Sequence, residues 1–96
     1  NIFNGFTEEF PQNMQTLKDC IKNEDFENLG FVSHEIKGSS ANLGAKSLSE
    51  ICHTIEMKAK SEDITNLEED IDALEKMFDS TKIEFDKYIS EKRRME

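Results

Sequence analysis

One stripe of side chains constrains the fold more than any other feature of the chain. Ile64, Leu67, Ile71, Leu74, Phe78, Thr81, Phe85 and Tyr88 alternate three- and four-residue steps, the heptad-like spacing of a long one-sided helix. A helix of roughly thirty residues at ~1.5 Å per residue spans about 45 Å. Its apolar face must be covered by other elements, and the residues before it supply three more helices. In helix A, from about Ile2 to Lys22, Phe3, Phe6, Phe10, Met14, Leu17 and Ile21 recur at helical spacing. Pro11 interrupts this run, removing one backbone donor and crowding the carbonyl four residues back, so a kink or break is expected there. Helix B runs from about Glu24 to Ala41, with Asn23 or Asp25 as its cap and Gly44 in the connection that follows. Helix C starts near Ala45 and carries Leu48, Ile51, Cys52, Ile55 and Ala59 on its buried side. Ser61-Glu62-Asp63 is the next turn, and the charged tail from Glu91 to Glu96 is expected to fray.

Four amphipathic helices joined by short turns predict an all-α fold. The form expected is an antiparallel up-down four-helix bundle with helix A kinked or broken near Pro11. Ninety-six residues leave room for one core, hence a single domain over residues 1–96. The chain begins at Asn1 rather than Met, as a domain cut from a longer protein would.

The net charge of −9, with no cluster of arginines except Arg93-Arg94, argues against nucleic-acid binding, which needs basic surface to neutralise phosphates. No apolar run approaches the ~20 residues of a membrane span, and there is no signal-peptide pattern. Cys20 and Cys52 fall on apolar stripes and read as small core residues of a reducing compartment. The Glu68-Glu69-Asp70 run reads as a solvated face.

The chemistry concentrates in helix B. Its apolar stripe is Phe26, Leu29, Ser33, Ile36 and Ser40, continued by Leu43. At about 100° per residue, His34, Lys37, Gly38 and Ala41 cluster roughly 120° from that stripe. The histidine therefore points sideways or outward, beside a cation and a bare patch of backbone. Gly38 costs about 1 kcal/mol against alanine in a helix interior, which suggests that something approaches the backbone next to His34. If helices B and C form a hairpin turning near position 45, His34 faces Glu56 and Lys37 faces His53. Glu56 then accepts the Nδ1 hydrogen of His34 and leaves Nε2 free to attack. Neutral imidazole is a good nucleophile near pH 7 and can accept a phosphoryl group. Lys37 can neutralise that group, and Gly38 leaves room for the domain that donates or receives it. Phe31 lies three residues before His34, roughly 160° from the centre of the apolar stripe. With Gly38 and Ala41 it forms a strip suited to docking a partner. Glu50 and His53 match the Glu-x-x-His of di-iron bundles, but no second copy with two more inward glutamates is evident, so no metal site is expected.

The run His34-Glu35-Ile36-Lys37-Gly38-Ser39-Ser40-Ala41-Asn42-Leu43-Gly44-Ala45, followed by Leu48, Cys52 and Ile55-Glu56, resembles the core pattern of histidine-containing phosphotransfer (HPt) domains of two-component phosphorelays, as found in hybrid sensor histidine kinases. A weaker similarity reaches Phe10-Pro11 and Asp25, so the resemblance covers roughly residues 3–60, and helix D matches only as an amphipathic helix. It implies that His34 is the phosphorylated residue, Lys37 a charge partner and Gly38 the close-approach position. Many members carry glutamine where Glu56 stands and others glutamate, so the charge at that position differs across the family. The resemblance also implies receiver domains of response regulators as partners, which contribute the aspartate, the Mg²⁺ and most of the catalysis. A histidine kinase in the same chain is a further partner it allows. The domain itself is then a carrier and not an enzyme, binds no cofactor or ATP, and is monomeric and cytoplasmic, either free or as the cytoplasmic part of a membrane-anchored sensor kinase, without membrane contact of its own. Two other readings stand beside a relay between receiver aspartates: the phosphoacceptor domain of a chemotaxis-type kinase, and a non-catalytic helical interaction module.

Overall fold

The computed structural model describes residues 2–95, with side chains described from Gly5 to Arg94. The described residues form four α-helices and no strand: α1 (Ile2–Lys22), α2 (Phe26–Asn42), α3 (Lys46–Lys60) and α4 (Leu67–Met95). Each helix packs against its neighbours in sequence, and α4 closes the ring on α1, with α2 and α3 the most extensive pair. The core is the sum of the stripes: Phe10, Met14 and Leu17 from α1, Leu29 and Ile36 from α2, Leu48, Cys52 and Ile55 from α3, and Leu67, Ile71, Leu74 and Phe78 from α4. Phe3 of the expected α1 stripe lies outside the described side chains.

α1 runs through Pro11 as one helix, so of the kink or break expected there the break does not occur. Pro11 sits on the exposed face, while Phe10 and Met14 on either side of it are buried. Core contacts on both sides of Pro11 offset the missing backbone donor. Phe10 stacks on Phe78 of α4 with ring centroids 3.8 Å apart, and Phe6 leans on both rings.

The expected α4 stripe is too long at both ends. Ile64 is 58% exposed and lies in the turn, because Asp63 accepts a hydrogen bond from the Thr65 amide and Asn66 takes a left-handed φ of 59° before the helix starts. Tyr88 is also 58% exposed. At about 1.5 Å per residue α4 is ~43 Å long and α1 only ~32 Å, and no α4 residue beyond Phe78 is buried among those described. Asp70 is not purely solvated: it pairs with Lys58 of α3 at 2.6 Å, and the same ammonium donates to the Thr65 carbonyl. That pair ties the start of α4 to α3.

The α2–α3 hairpin sets the site. Asp25 caps α2 by accepting from the Asn28 amide. At the other end Gly44 has φ 78°, and the Ala45 amide donates to the Ser40 carbonyl while the Gly44 amide donates to Ala41. This is a Schellman closure, which needs a left-handed residue after the helix. The chain reverses in three residues and α3 runs back along α2. Ser33 and Ser40 are fully buried on α2, and the Ser33 hydroxyl donates to the Leu29 carbonyl at 2.7 Å.

Candidate functional site

The site is the groove between α2 and α3, opposite the buried stripe of neither helix but along the edge of both. Reverse register brings His34 to Glu56 and Lys37 to both Glu56 and His53. Glu56 is the buried member: its side chain is 6% exposed, while that of His34 is 65% exposed. His34 Nδ1 lies 2.8 Å from Glu56 Oε2, and the Lys37 ammonium donates to Oε1. An ionised carboxylate only accepts hydrogen bonds, so the His34 proton is on Nδ1 and Nε2 keeps its lone pair toward solvent.

The Lys37 hydrogen bond is the largest influence on Glu56 and holds its carboxyl below the usual carboxylate range; burial pushes the other way, and the hydrogen bond from His34 adds to the lowering. The group is thus held ionised by two donors from the facing helix. Sequence reasoning missed a further cation. Lys60, one turn after Glu56 on α3, has its ammonium 3.8 Å from Oε2. The four-residue spacing, which puts two side chains on one helix face, was the signal available for it.

Gly38 is exposed, and a Cβ built on it would meet nothing of this chain within 4 Å. No internal contact requires a glycine there. Phe31 is 62% exposed and Ala41 is exposed as well, so both share the accessible side of α2 with His34 and Gly38. Phe31 and His34 line one open groove together with Gly30, Glu56 and Ala59. Cys20 and Cys52 are free and buried, and burial pushes the Cys52 thiol up to about 12. Among the described residues no group of three or more histidine, cysteine, aspartate or glutamate side chains could hold a metal ion, and no helix is long and apolar enough to cross a membrane.

The family model of the Hpt domain matches residues 2–83 of the 96. The chain belongs to the Hpt domain family. No curated protein and no solved structure matches it. Membership of the Hpt family implies phosphotransfer in two-component signalling, in the role of phosphocarrier rather than catalyst and with receiver domains as the partners of the family. The match ends within α4, close to where its buried residues end at Phe78.

Proposed function

We propose that this Hpt domain relays a phosphoryl group between receiver-domain aspartates through His34. The observation that carries the reading is the contact of the exposed His34 ring, through Nδ1, with the buried Glu56 carboxylate at 2.8 Å. In the forward step the Nε2 lone pair attacks the phosphorus of a receiver aspartyl phosphate. The P–O bond to the aspartate breaks, the aspartate leaves as carboxylate, and an N–P bond forms. The ring becomes a phosphoimidazolium with its proton still on Nδ1, and the negative Glu56 carboxylate offsets the ring's positive charge. A second receiver aspartate reverses the same step. Transfer of this kind depends on positioning and charge stabilisation. Lys37 supplies a positive charge one helical turn from His34 for the phosphoryl oxygens. Gly38 supplies clearance, since its lack of a side chain answers to nothing within the chain. Phe31 and Ala41 form the apolar part of the docking surface. Any divalent cation belongs to the receiver, and no residue here is assigned to one.

His34→Gln is expected to abolish uptake of acid-labile phosphate from a phosphorylated receiver while circular dichroism stays that of the parent, because the side chain is mostly exposed. Phosphate mapped to His53 in the intact protein would overturn the assignment.

A further inference from the structure

Lys37 has two neighbours on α3, and the relay step above uses only Glu56. The other is His53, with a side chain 58% exposed, whose Nδ1 lies 3.5 Å from the Lys37 ammonium and 3.8 Å from Glu56 Oε1. An ammonium group has donors only, so the ring nitrogen facing it is the one without a proton. While it accepts from Lys37, His53 is neutral with its proton on Nε2, the opposite tautomer to His34. Two exposed histidines flank one carboxylate, yet their outward nitrogens differ. That of His34 carries a lone pair, and that of His53 carries a hydrogen.

We propose that His53 is a positioning residue for the transfer reaction: while neutral it holds the Lys37 ammonium against Glu56, and when protonated it displaces it. The proposal rests on His34 as phosphoacceptor. The charged groups around His53 are Lys37 from α2 and, on its own helix, Glu50 one turn before it and Glu56 one turn after it, whose far oxygen carries His34 and Lys60. Among the described residues no hydrogen bond or ion pair joins His53 to α4. On acidification the proton goes to Nδ1, the one ring nitrogen with a lone pair. The acceptor for Lys37 is lost, a second cation stands beside the ammonium, and the new Nδ1–H can close the 3.8 Å gap to Oε1 in place of Lys37. Acid then slows transfer twice, once through the Nε2 lone pair of His34 and once through the displacement of Lys37.

The test compares the parent with His53→Asn, whose Oδ1 accepts from Lys37 without titrating, and with His53→Leu, which has no acceptor. Phosphoryl uptake from a phosphorylated receiver is followed from about pH 5.5 to about pH 8.5, a range that brackets imidazole titration. Ring nitrogen NMR and the Lys37 ammonium resonance are followed over the same range. At the alkaline end His53 is expected as the Nε2–H tautomer and His34 as the Nδ1–H tautomer. The uptake rate of the parent should fall in acid through two protonations and that of His53→Asn through one. His53→Leu should transfer about three-fold more slowly than the parent at the alkaline end, the loss of one exposed hydrogen bond. The Lys37 resonance should follow the His53 titration in the parent and lose that step in His53→Asn. His53 found as the Nδ1–H tautomer, identical acid limbs in parent and His53→Asn, or a His53→Leu protein as fast as the parent would each overturn the proposal. If the parent takes up no phosphate at all, the relay reading fails instead, and the tautomer and the Lys37 resonance alone decide whether His53 holds Lys37.

Discussion

Glu56 is the residue on which the rest of the site depends, because it is buried where its partners are accessible. Its carboxyl is held below the ordinary range, first by the Lys37 hydrogen bond. A depressed folded value means that the ionised group contributes stability above the unfolded range, about pH 4.3, and that this contribution is lost as pH falls through the lower folded value. Glu56→Gln should therefore melt below the parent above about pH 5, with the gap narrowing as pH falls below the ordinary carboxylate range; thermal melts on both sides of that range check it. Phe31 carries a second expectation at this scale. Its ring is 62% exposed three residues before His34, so Phe31→Ala should weaken receiver binding by about 1 kcal/mol or more, the threshold of an interface anchor. Its melting temperature should match the parent's. A large loss of thermal stability with unchanged receiver affinity would show the ring to be part of the core.

At the scale of the helices, three of the four end in the same way. After α1, α2 and α3 one residue takes a left-handed φ and the next amide returns to a carbonyl in the last turn: Glu24 with Asp25 to Cys20, Gly44 with Ala45 to Ser40, and Glu62 with Asp63 to Lys58. Only the α2–α3 turn uses glycine, and it is the turn that sets the register of His34 against Glu56. The two glutamates adopt a conformation that costs an L-residue roughly 1–2 kcal/mol. Glycine would remove that cost and add back part of it as unfolded-state entropy. Glu62→Gly is therefore expected to stabilise the domain by about 0.5–1 kcal/mol, read as a shift in the urea midpoint with unchanged slope. Gly44→Ala should move the midpoint the other way by a similar amount, since any Cβ there is strained at φ 78°. The glycine at this turn was legible in the sequence. The left-handed glutamates were not, because nothing local marks a glutamate for that conformation.

The whole molecule measures 49 × 19 × 18 Å, and its long axis comes from α4 outreaching its neighbours. Stability should therefore fall off along α4. Phe78 is buried against Phe10 and Phe6, and Phe78→Ala should cost about 3–5 kcal/mol. Tyr88 continues the same spacing but is 58% exposed, and Tyr88→Ala should change stability by no more than about 0.5 kcal/mol. Urea unfolding of the two variants beside the parent checks the contrast; equal losses would mean that the stripe is covered along its whole length.

By itself the sequence determined four helices, the apolar stripe of each and the side of α2 on which His34, Lys37, Gly38, Phe31 and Ala41 stand. These follow from a period of about 3.6 residues, which side-chain chemistry imposes locally. It also placed His34 opposite Glu56, because a tight turn at Gly44 converts sequence distance into register. Only the tertiary structure decided that α1 continues through Pro11, since the contacts of Phe10 and Met14 outweigh a local backbone penalty. Only it decided that the α4 stripe is buried from Leu67 to Phe78 and bare at Ile64 and Tyr88, since burial depends on the length of the neighbouring helices and not on the spacing within one. And only it decided that one carboxylate, sunk between α2 and α3, gathers His34, Lys37, His53 and Lys60, since that convergence is set by how deep a side chain sits between two helices, which periodicity within either helix does not encode.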